Sequence, residues 1–346
     1  MKNERRWNPF LQKWIIVAPK REKRPLDVKT TLDGKLKQIE IPQQSEREEG
    51  KPKKKKFCPF CVGAPEVPEP FDVKILPNRF PAIDLSYNDV NTVLKKDSVY
   101  KIDSAIGHQE VVLYSPEHNI KFADLPVEHI KKLVELWKER YVEIGGNREI
   151  KYVYEFENRG DIIGVSLKHP HGQIYAFSWI PLFVKLELES FKNYHDNSSR
   201  CLLCDIIEEE LENGVRIIQE NENFVSCVPF FAAWPHEVHI YPKKHVQSFA
   251  SFDAEMVRDF ASILKDTNKR YDLLYPNHEM AFVMAIHQQP TDGKTHEYYH
   301  FHVEFYPAVR GPGVQKFAAG VELGTGTWIN SSLPEDFAQI FKNIKI

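Results

Sequence analysis

EVVLYSPEHNIKFADLPVEHIKKLVELWKERY (110–141) and EVHIYPKKHVQSFASFDAEMVRDFASILKDTNKRY (237–271) together decide the fold. Each runs from a strand through a proline, His118 or His245, and an aromatic residue into a helix. In the first, Ile130, Leu133, Val134 and Trp137 recur at i, i+3, i+4 and i+7; in the second, Val257, Phe260, Ala261 and Leu264 do the same. That spacing is the apolar stripe of a helix lying on a core. It predicts helices over 126–141 and 253–270, the second with Asp253 as its N-cap. The chain repeats itself.

The repeat extends outward in both directions. Upstream lie ILPNRFPA (75–82) and QENENFVSCVPF (219–230), and further upstream a CxxC in each half, Cys58/Cys61 and Cys201/Cys204. Downstream each half ends in His-x-His, His169/His171 and His300/His302. VVLY (111–114), KYVYEFE (151–157), GQIYAF (172–177), EVHIYP (237–242), MAFVMAIH (280–287) and YYHFHVEFYP (298–307) are rich in β-branched and aromatic residues and read as strands. The expected fold is α+β: two repeats, each an antiparallel sheet flanked by a helix, related by an approximate two-fold. The expected division is 1–192 and 193–346. Residues 33–56, polar and ending in a lysine block, read as a mobile, solvated loop.

At ~150 residues per domain, 346 residues suit two units. A composition of 42% apolar and 27% charged residues supports a sizeable core. The net charge of −3 gives no global field to attract a polyanion, so nucleic acid is not the expected partner. The start, MKNERRWNPF, has no apolar signal region, and no run approaches the ~18 apolar residues of a membrane span. The expectation is a cytoplasmic protein with no membrane partner.

Two thiolates and two imidazoles form a ligand set that suits tetrahedral Zn²⁺ and leaves no position open for chemistry. One such set is weak evidence among 14 histidines, but the same order occurs twice: Cys58, Cys61, His118, His169 and Cys201, Cys204, His245, His300. One or two structural zinc ions are expected, against the alternative of free or bridged cysteines. In an extended strand the two histidines of each pair face one way, about 7 Å apart. His169 is then the metal ligand and His171 a free imidazole, with Gln173 on the same face as an uncharged donor to a phosphoryl oxygen. Gly172 reads as a place where phosphate approaches the backbone. In the second half Glu304 replaces Gln173 and would repel phosphate. His171 as nucleophile fits phosphorus chemistry, because neutral imidazole attacks without a strong base.

HPHGQ (169–173), FENRG (156–160), GVS (164–166), CPFC (58–61), SPEH (115–118) and KREKRP (20–25) together resemble the galactose-1-phosphate uridylyltransferase family, a two-repeat branch of the histidine-triad superfamily. The likeness spans nearly the whole chain. It implies two histidine-triad-like repeats and a double displacement. His171 attacks the α-phosphorus of UDP-glucose and expels glucose 1-phosphate; galactose 1-phosphate then takes the uridylyl group. By resemblance Gln173 and Ser166 hold the transferring phosphoryl, Asn158 and Gly164 approach the nucleotide phosphates, and Asn78 lies near the nucleoside. Arg21 and Arg24 reach phosphate across a homodimer interface, while Lys316 and Glu322 meet the hexose. The family's iron site of one Glu and three His corresponds to Glu187, His287, His302 and Glu304, one histidine being replaced. The second CxxC points instead to the Cys201 set. That set and the ending 320–341, with Val321 in place of a tyrosine, resemble the plant-type ADP-glucose phosphorylase branch. The alternatives are therefore ADP-glucose phosphorolysis and, outside enzymes, a zinc-stabilised nucleotide-binding module.

Overall fold

The computed structural model describes residues 4–8, 13–17, 58–85, 94–165 and 167–346. The 33–56 loop, Arg21, Arg24 and Ser166 lie outside the described residues. In chain order, β1 (Glu4–Asn8) and β2 (Lys13–Val17) precede β3 (Lys74–Pro77), β4 (Ile102–Ser104) and β5 (Gly107–Leu113). Then come α1 (Val127–Gly145), β6 (Tyr152–Arg159), β7 (His171–Phe177), α2 (Leu182–Ser198) and α3 (Leu202–Asn213). The second half continues with β8 (Ile217–Glu220), β9 (Phe224–Cys227), β10 (Val238–Pro242), α4 (Ala254–Leu274), β11 (Phe282–His287) and β12 (His302–Pro307). It ends with the hairpin β13 (Val309–Gly311) and β14 (Val314–Gln315), α5 (Gly320–Thr325) and α6 (Pro334–Lys342).

Both repeats form as the pattern requires, and their sheets fuse. The order β3-β5-β7-β6-β11-β12-β10-β9-β8 is one nine-stranded antiparallel sheet. The seam is β6 against β11, and β5, β7 and β6 on one side mirror β10, β12 and β11 on the other. Pairing at the seam satisfies the backbone groups that two separate half-sheets would each leave exposed at an edge. A smaller sheet, β2-β1-β4, is tied to the chain leaving β7 by Arg5, whose guanidinium lies 4.1 Å from the Trp179 ring.

α1 and α4 pack on each other and on one face of the large sheet. α1 buries Ile130, Leu133, Val134 and Trp137, the expected stripe, and extends it through Tyr141 and Ile144. The Asp253 carboxylate accepts from the Met256 amide at 2.8 Å, as an N-cap should. Each fully buried Leu, Val or Phe on these faces contributes about 1.5–3 kcal/mol, so core burial holds the two-layer arrangement. α2 and α3 were hidden from the apolar count. α2 buries only Val184 and Phe191, and α3 opens on the CxxC, with Cys201 as its N-cap. α2 also carries the chain from one half to the other, and position 192 falls inside it.

β7 alternates with period two: His171, Gln173, Tyr175 and Phe177 are half-buried, while Gly172, Ile174 and Ala176 are buried toward the helices. This corrects the reading of Gly172. Its missing side chain makes room for no phosphate, because it points away from the His171 face. A Cβ there would meet the Tyr114 hydroxyl oxygen at 2.3 Å and Tyr114 Cζ at 3.0 Å. Tyr114 is fully buried, edge-on to Phe122 and Trp137, and its amide donates to the Pro170 carbonyl at 3.2 Å. Gly172→Ala should therefore cost about 1–3 kcal/mol in urea unfolding, the usual range for overpacking. Adding Tyr114→Phe, which removes the nearest atom, should recover part of that loss.

Candidate active site and metal centres

His171 opens β7 opposite Leu113 of β5, half-buried, with the edge of Phe60 against it at 5.3 Å between ring centroids. Its Nδ1–H donates to the His169 carbonyl at 2.7 Å. That bond selects the tautomer in which Nε2 carries the lone pair. Gln173 follows on the same face, opposite Val111 on one side and Phe156 on the other. Beside His171 lies a cavity of about 390 Å³ lined also by Asn158, Gly160, Asp161, Lys121 and Lys168 among others; neither Gln173 nor Gly164 is on its lining. Gly164 ends a single 3-10 turn at Asp161–Ile163 with φ +78°, a left-handed conformation that favours glycine. The cavity also reaches Glu157 and Asp272, which sequence reading passed over. Burial pushes the Glu157 carboxyl up to about 7, against the pull of Arg159. Arg159 itself is tied to Asp272 and to Asn268 Oδ1. The signal was available, since alternation along FENRG puts a carboxylate on the apolar side of β6.

Cys58, Cys61, His118 and His169 converge, with one ligand atom from each lying within 4.8 Å of the others. Cys61 Sγ is 3.4 Å from His118 Nδ1 and 3.7 Å from His169 Nδ1. The far nitrogen of His169 donates to the Ser115 carbonyl at 2.7 Å, which turns Nδ1 toward the thiols. Burial pushes the Cys58 thiol up to about 11 and lowers His169. Cys201, Cys204, His245 and His300 converge likewise, with Cys204 Sγ 3.3 Å from His245 Nδ1 and 3.4 Å from His300 Nδ1. His245 and His300 are oriented by the Glu297 and Pro242 carbonyls at 2.8 and 3.1 Å. Two sulfurs and two oriented imidazole nitrogens in each cluster suit a tetrahedral metal. The fifth cysteine, Cys227, is fully buried in the apolar cluster against which Cys201 packs.

The sequence set the iron-type residues against the second Cys/His set; the structure builds both. His300 turns into the cysteine cluster, while His302 joins Glu187 and His287 in a third group. Glu304 stands 3.7 Å from both imidazoles. Glu187 contacts His287 Nδ1 at 2.9 Å and accepts from the Tyr299 hydroxyl at 2.8 Å. Burial works against ionisation of both groups, but Glu187 is held down to about 2 by His287, and His287 is raised to about 9 by Glu187 and Glu304. His302, stacked on His287 at 4.8 Å, is lowered to about 4 by burial and its neighbour's charge. In the second half Glu304 thus stands where Gln173 stands in the first, and the imidazole equivalent to His171 is enclosed among charged groups.

The remaining candidate positions fall elsewhere. Asn78 Oδ1 accepts from the Phe80 amide at 2.9 Å and stabilises its own turn. Lys316 Nζ donates to Glu322 Oε1 at 2.7 Å, and neither residue lines the cavity beside His171. Val321 is exposed on α5. No helix among the described residues is long and apolar enough to cross a membrane.

Residues 1–181 match the family model for the galactose-1-phosphate uridyl transferase N-terminal domain, and 187–345 the model for its C-terminal domain. The chain is 34% identical to the galactose-1-phosphate uridylyltransferase of Thermotoga maritima over 99% of each chain. A solved uridylyltransferase structure aligns with TM-score 0.81 at 33% identity, covering 98% of this chain and 97% of that one. An Arabidopsis thaliana ADP-glucose phosphorylase with bound ADP-glucose aligns with TM-score 0.69 at 25% identity over the whole of both chains.

The depressed Glu187 carboxyl adds stability above its ordinary value of 4.5, lost as pH falls through about 2. The raised His287 imidazole adds stability below its ordinary value of 6.5, lost as pH rises through about 9. In chelator-treated protein Glu187→Gln should therefore cost most between these ordinary values, by about 3 kcal/mol. Urea unfolding at pH 6 and again at pH 10 should show the gap narrowing at the higher pH.

Proposed function

The chain belongs to the galactose-1-phosphate uridyl transferase family, and on that premise we propose that it exchanges UMP between UDP-glucose and galactose 1-phosphate through a uridylyl-histidine. His171 Nε2 attacks the α-phosphorus, the bond to the bridging oxygen breaks, and glucose 1-phosphate leaves. Galactose 1-phosphate then attacks the N–P adduct, UDP-galactose departs, and the neutral imidazole is restored. What supports this reading above all is the His171 Nδ1–H bond to the His169 carbonyl beside the cavity, which leaves Nε2 as the basic nitrogen. The Gln173 carboxamide donates to a non-bridging oxygen as charge develops there, without adding charge of its own. Ser166 joins Gln173 in holding the transferring phosphoryl, Asn158 and Gly164 approach the nucleotide phosphates, Asn78 lies on the nucleoside side, and Lys316 and Glu322 meet the hexose.

In this reading the Cys58 cluster holds a zinc ion and the Cys201 cluster can hold a second, so a chain carries one or two. The metal braces the segment that ends in His169, two residues before the nucleophile, and takes no part in a step. The first repeat, 1–192, is catalytic and the second, 193–346, supports it. The enzyme works as a cytoplasmic homodimer in which Arg21 and Arg24 meet phosphate across the interface. ADP-glucose phosphorolysis is the second reading, favoured by the Cys201 cluster and by the likeness to the Arabidopsis enzyme.

UDP-glucose labelled in the α-phosphate should label His171 in an acid-free quench, and galactose 1-phosphate should release the label. His171→Gly should lower turnover by at least about 10⁴-fold with metal content and fold unchanged. Label from ADP-glucose alone, released by phosphate, would overturn the uridylyl assignment. Elemental analysis should find up to two zinc ions per chain. Cys61→Ser should lose one and lower the unfolding temperature, because structural zinc contributes to folding.

A further inference from the structure

The ladders fix which residues of the two halves are equivalent. Gly172, next to His171, lies opposite Val112 of β5; because Phe156 pairs with Gln173, Glu157 comes beside Gly172 on the other flank. In the second half Val303, next to His302, lies between Ile240 and Ile286. The row Val112, Gly172, Glu157 thus corresponds to the row Ile240, Val303, Ile286. Tyr114 stands two residues past Val112; two residues past Ile240, β10 ends in Pro242.

The second row is apolar and fully buried throughout, as the helix-covered face of a sheet should be. The first row departs from that pattern at several positions together: a glycine, a carboxyl and, past the end of β5, a tyrosine hydroxyl. Glu157 is only 6% exposed, with Met284 of β11 on its far side. A carboxyl there carries a desolvation cost that Ile286 avoids. Burial raises the Glu157 carboxyl, while Arg159 and the Tyr114 hydroxyl pull it down; burial and then Glu157 keep that hydroxyl protonated. Carboxyl and hydroxyl are therefore neighbours. Tyr114 in turn grips the chain twice: its amide donates to the Pro170 carbonyl at 3.2 Å, and its hydroxyl fills the space that a side chain at 172 would occupy. His171 is the residue between.

We propose that Glu157 is a positioning residue for His171, holding the Tyr114 hydroxyl beneath Gly172 so that the chain on both sides of the imidazole stays in place. It acts from the opposite face of the sheet, through Tyr114 and the backbone. Without the carboxyl the hydroxyl loses its polar neighbour, the ring is free to shift, and the space under Gly172 lets the strand move. The His171 Nδ1–H bond to the His169 carbonyl then weakens, and with it the choice of Nε2 as the basic nitrogen. The inference rests on the reading of His171 as the nucleophile.

Glu157→Met keeps the length of the side chain and removes its polar atoms. It should lower kcat for UDP-glucose with galactose 1-phosphate at least tenfold and leave KM within about threefold, and Glu157→Gln should recover most of the loss. Tyr114→Phe should lower kcat likewise, and Tyr114→Phe/Glu157→Met no further than the worse single variant. In full-length protein with ¹⁵N-labelled histidine rings, the signal missing from His171→Gly should report Nδ1 protonated, and in Glu157→Met a mixture of tautomers. Unchanged kcat, a rise in KM alone, a Gln variant as slow as Met, additive losses in the double variant or an unchanged tautomer would each overturn the proposal. Should Glu157→Met fail to fold, the kcat and tautomer of Tyr114→Phe decide it. Failure of the uridylyl reading would appear differently, as absent turnover in the unsubstituted protein, and the tautomer signal, read without substrate, would still test Glu157.

Discussion

The His-x-His stretch at the head of β7 must serve two masters within three residues. His169 turns its Nδ1 into a cluster of two thiols and another imidazole, and its carbonyl, two bonds away along the backbone, receives the Nδ1–H of His171. The orientation of the His171 imidazole is thus set by the backbone of a residue of the Cys/His cluster. A shift of one would carry the other with it. The fully buried Tyr114 presses from the opposite side of the sheet, its amide on the Pro170 carbonyl and its hydroxyl beneath Gly172. Cys/His cluster, strand and tyrosine together leave this stretch little freedom, which is what the proposed attack of His171 on phosphorus in a fixed line would require.

The second repeat shows the same skeleton with its chemistry redirected. His302 also donates Nδ1–H to the carbonyl of the preceding cluster residue, His300, at 3.0 Å. It is nevertheless fully enclosed, stacked on a charged His287 and faced by Glu304 and Glu187. Desolvation lowers its own basicity, and the carboxylates around it would oppose an incoming phosphate. The bonding geometry of His171 survives there without its electrostatic surroundings. The seam between β6 and β11 places both versions in one sheet, so the second half braces the first through continuous hydrogen-bonded strands and a shared core under α1 and α4.

Much of this was legible because it is periodic. The i, i+3, i+4, i+7 stripes gave α1 and α4, and the N-cap at Asp253 is where a carboxylate before an apolar stripe belongs. The doubled order of Cys, Cys, His and His-x-His gave both cysteine clusters, because four ligand-type residues in one order rarely recur by chance. α2 carried too few buried residues to announce itself, with only Val184 and Phe191 inside. Gly172 was misread because a glycine beside a candidate reactive imidazole has two explanations, and only the side of the strand it occupies separates them.

By itself, then, the sequence determined what alternation, helical spacing and repetition encode: two α+β units, their order of ligands, and an imidazole with a carboxamide two residues on. Those are local properties, written within a few residues of one another. Tertiary structure alone decided which distant groups meet. It fused two half-sheets at the β6–β11 seam and sent His300 and His302 into different clusters. It brought Glu187, from the connecting helix, against His287 across 100 residues of chain. It also filled the space beneath Gly172 with Tyr114. Such contacts depend on packing between elements far apart in the chain, and no local spacing records them.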